Sequence, residues 1–215
     1  MEFINVTLDL LMGFGKTVLI FCIVLILSLP LGLLVTFGSM SKIKILKEIV
    51  RKIVWIIRGT PLLLQVIIVY YGPGLWLNLS IRNFRFGAVI IAFVINYACY
   101  FSEIYRGGIE SIAKGQYEAG YVLGLSKSET FFKIIFPQVF KRILPAISNE
   151  IITLVKDTSL ARVIAMEELI QAAEEIMATN GILWPLLYTG VFYLFFSAIL
   201  TKIFEKLENS LNYYK

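Results

Sequence analysis

The stretch Glu118-Ala119-Gly120-Tyr121-Val122-Leu123-Gly124, followed nine residues later by Ile134-Ile135-Phe136-Pro137, decides how this chain is read. Residues 113–123 favour helix, and Gly124 is placed to take the left-handed conformation that closes one. Ser126-Lys127-Ser128-Glu129 is a capping box. Its Ser126 hydroxyl can accept from the Glu129 N–H while the Glu129 carboxylate reaches back to the Ser126 N–H. A second short helix therefore starts near residue 127, and Pro137 marks its end or a kink. Two short polar helices with a glycine corner, inside an otherwise greasy chain, form either a loop on lipid headgroups or a surface for another protein. The residues alone leave both open.

The rest of the chain is strongly apolar. Of its 215 residues 58% are hydrophobic and 16% charged, with a mean hydropathy of +0.80; soluble domains carry about 25% charged residues. That composition predicts an all-α integral membrane protein, and the length allows one domain, 1–215. The formal charge is +5. No basic stripe stands apart from the apolar runs, so the excess reports membrane topology and no nucleic-acid partner is expected. There is no histidine, which removes His ligands, His bases and Ser-His-Asp triads; no catalytic residue and no metal site is expected. Cys22 and Cys99 lie in apolar runs and read as small hydrophobes. Glu2, Asp9 and the length of the first apolar run argue against a cleavable signal peptide. Gly15-Lys16-Thr17 resembles the end of a phosphate-binding loop, but Leu10 stands where the first glycine is required and no strand precedes it. No nucleotide or other cofactor site is expected on this chain.

Five spans can be drawn: 17–37, 59–81, 86–102, 143–164 and 182–201, the second interrupted by Pro61 and by Gly72-Pro73-Gly74. Each approaches the length that crosses about 30 Å of hydrocarbon. The charges between them are lopsided. Residues 42–58 hold six basic side chains, 106–142 another six, and the tail holds Lys202, Lys206 and Lys215. Residues 165–181 hold no Lys or Arg but have Glu167, Glu168, Glu174 and Glu175, and the 82–85 loop has only Arg82 and Arg85. Five spans with the N-terminus out and the C-terminus in satisfy the positive-inside rule at every loop, and place the 113–137 segment in the cytoplasm.

At this point a resemblance adds to the physics. Glu118, Ala119, Gly124, Ile134 and Pro137, with the nine-residue spacing, are similar to the EAA motif of bacterial ABC importer membrane subunits; Gly120 replaces an Ala and Phe136 a Leu. Arg58-Gly59-Thr60-Pro61-Leu62-Leu63-Leu64-Gln65, Glu103-Ile104-Tyr105-Arg106-Gly107-Gly108-Ile109 and Asn149-Glu150 with Lys156-Asp157-Thr158-Ser159-Leu160 look like the polar amino acid (histidine, arginine, glutamine) permease branch. These motifs cover roughly residues 55–170. The resemblance implies a type I importer fold and a pair of permease subunits, a homodimer in the favoured reading and a heterodimer otherwise. It also implies an ATPase dimer carrying ATP and Mg, an extracellular amino acid binding protein, and a place in the bacterial cytoplasmic (inner) membrane. Under it Glu118, Ala119, Gly120, Gly124 and Pro137 belong to the coupling segment that contacts the ATPase. Gly120 is expected to loosen its helix by roughly 0.5–1 kcal/mol relative to Ala.

Ionisable and polar groups within spans are expensive and nominate the substrate site. Glu150 and Asp157 are seven residues apart on one helix face, with Thr153 between them; Asn96, Tyr100 and Glu103, at spacings of four and three, share another. Three acidic groups facing one cavity predict a cationic substrate, hence a basic amino acid such as arginine, lysine or histidine. The same groups would serve an ion-coupled carrier or a cation channel, the alternative reading. A membrane anchor would have no use for them. The aromatics Trp55, Tyr70, Tyr71, Trp76, Trp184, Tyr188 and Tyr193 read as an interfacial belt.

Overall fold

The computed structural model describes residues 3–79 and 83–211; Glu2, Ile81, Arg82 and Lys215 lie outside them. All regular structure among the described residues is helical. Helix α1, Phe3–Ser39, is followed by α2, Lys44–Arg58, then α3, Leu62–Leu77, and α4, Arg85–Glu110. The 113–137 segment forms α5, Lys114–Val122, and a continuous path of α6, Lys127–Glu129, a π-helical turn Thr130–Ile135, and α7, Phe136–Asp157. A 3-10 stretch, Thr158–Ile164, leads to α8, Leu169–Asn180, and α9, Trp184–Ser210.

Helix α4 is the axis of the bundle. It packs against α1, α3 and α7, and its Phe93, Tyr97 and Phe101 are almost wholly buried. A second apolar cluster joins Val6 and Leu10 of α1 to Leu169, Ala173 and Ile176 of α8. The outward surfaces of α1 and α9 remain apolar: Ile26, Leu34, Leu187 and Leu194 are each about two-thirds exposed or more. A soluble domain does not cover itself this way; a lipid-facing surface does.

Three helices, α1, α4 and α9, are long and apolar enough to cross a membrane, and α2 with α3 would count as a fourth if that bent pair is one span. The fourth expected span, 143–164, is α7 plus the 3-10 stretch; α7 has 22 residues but carries five charges.

The second expected span differs most. It is not a helix over 59–81. Helix α3 has 16 residues, about 24 Å at 1.5 Å per residue, and meets α2 at 103°. Pro61 causes the break: the residue before a proline is pushed out of the helical region, and Pro61 itself is extended, with φ −62° and ψ 135°. Residues 44–58, expected as a basic loop, are instead a strongly amphipathic helix. The Gly72-Pro73-Gly74 interruption does not unwind α3, which continues to Leu77 and ends on Asn78 in the left-handed conformation. The aromatic belt also needs correction at two positions: Tyr70 is buried in the core, and the Tyr193 hydroxyl donates to Glu168.

Glu168 is wholly buried and caps α8. Its carboxylate accepts from the Ile170 and Gln171 N–H groups at 2.9 and 2.8 Å and from Tyr193 at 3.2 Å. Burial pushes this carboxyl up to about 7. Its neighbour Glu167 is exposed and pairs with Lys16, whose ammonium holds it below the usual carboxylate range.

Candidate functional site

A cavity of about 540 Å³ opens where the α2–α3 break meets α4 and α7. Asn96 and Tyr100 of α4 line it with Glu150, Thr153 and Asp157 of α7, so five of the six substrate candidates come together. They meet because both helical faces point at the same gap. The break itself supplies the remaining wall, Arg58 through Leu62.

Gln65 holds the break open. Pro61 cannot donate to the helix ladder, and the Gln65 side chain supplies donors instead, to the Ile57 carbonyl at 2.7 Å, the Thr60 carbonyl at 3.2 Å and the Thr60 hydroxyl at 2.9 Å. Asn96 then donates to the Gln65 carbonyl oxygen at 3.1 Å, tying α4 to the break. Asp157 accepts from Tyr97 at 2.7 Å, and the Thr153 hydroxyl donates back to its own helix at Asn149. Glu150 accepts no hydrogen bond among the described residues and is half-buried. Lys156, next to Asp157, is exposed and outside the cavity.

Glu103 lies outside the cavity, contrary to expectation. Arg106 takes both of its oxygens, at 3.0 and 2.7 Å, and Arg58 approaches to 3.6 Å. These groups, with Arg51, surround a neighbouring space of about 210 Å³. The residue that sequence reasoning missed is Arg58. It borders both spaces, its guanidinium sits 5.0 Å from the Tyr100 ring centroid, and Tyr100 donates to its carbonyl at 3.4 Å. The signal was present in its position just before Gly59-Thr60-Pro61, where a break exposes the side chain to the gap.

The second site is the α5–α6 corner. Gly124 has φ +73°, and the Leu125 N–H reaches the Gly120 carbonyl at 3.0 Å, closing α5 as expected. Both arms of the capping box are made, at 3.2 and 3.1 Å. The Lys133 ammonium, with help from the Ser126 bonds, holds the Glu129 carboxyl down at about 2. Glu118 and Ala119 are exposed. So are Tyr121, Val122 and Leu123, each more than 70%, an apolar tip that the sequence reading left unassigned. Pro137 does not end the second helix, and the π-helical turn Thr130–Ile135 directly before it is the local irregularity. The proline occupies the first turn of α7, just after the π turn, where a missing N–H is tolerated. Gly120 is buried against Thr130: a Cβ added there would lie 2.5 Å from Thr130 Cγ2. It is a close-approach glycine, not a loosened helix position.

Residues 28–213 match the family described as binding-protein-dependent transport system inner membrane component. The chain belongs to this family. The arginine transport system permease protein ArtQ of Bacillus subtilis (strain 168) is 36% identical over 94% of this permease and 92% of its own length. The glutamine transport system permease protein GlnP of Escherichia coli (strain K12) is 36% identical over 86% and 82%. The L-cystine transport system permease protein TcyB of Bacillus subtilis is 41% identical over 72% of this permease, a stretch that is 65% of that protein. In three dimensions the permease matches the crystal structure of an amino acid ABC transporter with histidines, with a TM-score of 0.88, 28% identity and 96% of both chains covered. The MetNI methionine ABC transporter, in an inward-facing form, shares the fold at 16% identity and a TM-score of 0.75.

Proposed function

We propose that this chain is the membrane-spanning permease subunit of an ATP-driven amino acid importer whose substrates are basic amino acids. The chemistry of the 540 Å³ cavity carries the reading. An amino acid brings a carboxylate and an ammonium; Arg58 offers a planar donor fork to the first, and Glu150 and Asp157 offer acceptors to the second. One guanidinium against two carboxylates leaves the cavity at −1. A zwitterion alone leaves that charge unmatched, whereas arginine or lysine, at +1, cancels it. The names of the relatives, which include an arginine and a glutamine permease, support amino acids as the class and leave the side-chain charge to the cavity.

In this reading the chain crosses the bacterial cytoplasmic membrane five times, N-terminus out and C-terminus in, with 15 of its 20 basic residues inside, as the positive-inside rule requires. Two permease subunits, a homodimer in the favoured form, stand over two ATPase subunits and under an extracellular amino acid binding protein. ATP and Mg bind the ATPase. The α5–α6 corner, with Glu118 and the exposed Tyr121-Val122-Leu123 tip, docks in a groove of the ATPase and transmits its closure to the cavity.

The test is uptake of labelled arginine by the reconstituted complex, with unlabelled lysine or glutamine as competitor. Lysine is expected to compete strongly and glutamine weakly. Equal competition refutes the basic class, and uptake driven by a proton gradient without ATP or the ATPase refutes the importer.

A further inference from the structure

Two ion pairs clip the C-terminal half of α2 to α4. Arg51 and Arg58 are seven residues apart on α2, and Glu103 and Glu110 seven apart on α4, so each couple shares a helix face. The pairing is antiparallel: Arg58 stands 3.6 Å from Glu103 and Arg51 3.7 Å from Glu110. Arg106 lies between the two carboxylates and donates to both. The charges therefore alternate along one ladder: Arg58, Glu103, Arg106, Glu110, Arg51.

The links are unequal. Arg106 holds Glu103 through both oxygens, at 3.0 and 2.7 Å, the fork geometry of a strong pair. Arg51 is fixed to α1 as well, through the Ser39 carbonyl at 3.2 Å. The 3.6 Å approach of Arg58 to Glu103 is beyond hydrogen-bond length. Its withdrawal would cost Glu103 no hydrogen bond. Arg58 is thus the loose end of the ladder. It also lines the 540 Å³ cavity, which the other four members of the ladder do not.

Two carboxylates therefore compete for one guanidinium. Glu103 is always present; the other is that of an amino acid in the cavity, on the function proposed above, on which this step rests. A transporter must bind its substrate well enough to admit it and weakly enough to let it go. A fixed internal rival for the group that holds the substrate meets the second requirement.

We infer that Glu103 is a positioning residue for substrate release, acting through Arg58. With the cavity filled, Arg58 turns its fork to the substrate carboxylate. As the cavity empties, Glu103 takes the guanidinium back, so the empty permease keeps no unpaired arginine and the filled one holds its amino acid less tightly.

The test compares arginine with agmatine, the same molecule without its carboxylate, for equilibrium binding to the reconstituted permease–ATPase complex in nanodiscs without ATP. Only the carboxylate engages Arg58, so the ratio of the two affinities isolates that contact from other changes of charge. In Glu103→Gln the ratio is expected to rise about two- to fivefold, the strength of a partly exposed ion pair. Arginine should dissociate more slowly, and in ATP-driven uptake both the half-saturating concentration and the maximal rate should fall. A residue that only supports the fold would loosen binding instead. Glu103→Asp keeps the charge but draws it back by one methylene; it should raise the ratio too, and decides the matter if Glu103→Gln does not assemble. Glu110→Gln removes a carboxylate from the ladder without touching Arg58 and should leave the ratio unchanged. An unchanged or lower ratio in the Glu103 variants overturns the inference, as does an equal rise in Glu110→Gln. Agmatine binding as tightly as arginine to the unmodified complex refutes the placing of the carboxylate at Arg58, and this inference with it. If glutamine binds and arginine does not, the basic class alone fails, and the same ratio is read with glutamine and its decarboxylated amine.

Discussion

Replacing Gly120 with Ala tests whether the α5–α6 corner is held by packing or by sequence propensity. Taken as an isolated helix, the change should help, because Gly is roughly 0.5–1 kcal/mol worse than Ala inside a helix. The packing predicts the reverse. The added Cβ would lie 2.5 Å from Thr130 Cγ2, 2.6 Å from Oγ1 and 3.1 Å from Cβ, about 1 Å inside the 3.5–4.0 Å optimum for two of the three atoms. Thr130 is β-branched and itself buried in the π-helical turn, so its rotamer choices are few. Overpacking of this kind costs about 1–3 kcal/mol. Less the helix gain, the corner should lose about 1–2 kcal/mol, which speeds hydrogen exchange across 114–136 by about 5- to 30-fold. ATP-driven uptake should fall with it. Adding Thr130→Ala removes the two nearest atoms and leaves only the 3.1 Å contact, so the double variant should regain most protection and uptake. Unchanged exchange in Gly120→Ala, or no recovery in the double variant, would refute the steric account.

Three further outcomes are expected. Glu168 sits near 7 in the folded chain against an ordinary 4.5; a raised carboxyl favours the folded state most below 4.5 and loses that contribution as pH rises to about 7. This amounts to about 3 kcal/mol, so the melting temperature of the purified chain should climb from pH 7 to pH 5, and Glu168→Gln should flatten the climb. Arg58→Lys keeps the charge but loses the fork and most of the stacking on Tyr100, so the substrate concentration for half-maximal uptake should rise about tenfold or more while the chain keeps its melting temperature. Glu150→Gln should raise it more for arginine than for a neutral competitor, because the variant cavity is no longer negative.

Much of the local architecture was legible because its causes are local. The glycine corner and the capping box each depend on residues within five positions of one another. Helix α2 was legible too but was misread: six basic residues in 42–58 drew attention from the isoleucines that alternate with them at helical spacing. Long-range pairing was not legible. Arg106, three residues on along the same helix, was a partner the spacing offered to Glu103, but Arg58 is 45 positions away and nothing local says that it will approach the same carboxylate. Glu167 and Glu168 make the point most sharply. They are identical neighbours in sequence, yet one is an exposed partner of Lys16 and the other a buried cap, because only the second points at the first turn of α8 and the Tyr193 hydroxyl.

The same pairing sorts the cavity's polar residues by what they are free to do. A buried donor or acceptor must find a partner, so a residue already satisfied by the protein is a poor candidate to meet a transient ligand. Asn96 is committed to Gln65, and Gln65 to the carbonyls that Pro61 leaves open. Glu103 is committed to Arg106, whereas Asp157 accepts from Tyr97 through one oxygen only and keeps its charge beside the cavity. These groups build the gap rather than fill it: the proline breaks the helix, the glutamine pins the break, and the asparagine fixes the break to α4. Glu150 remains, half-buried on the same face and accepting no hydrogen bond among the described residues. With Arg58, which is shared between Glu103 and the cavity rather than locked to either, it forms a pair of opposite charges available to a zwitterion, and Asp157 leaves a second negative charge beside them. The recognising chemistry of this permease is therefore narrower than its list of intramembrane polar residues, and the helix break at Pro61 is what makes room for it.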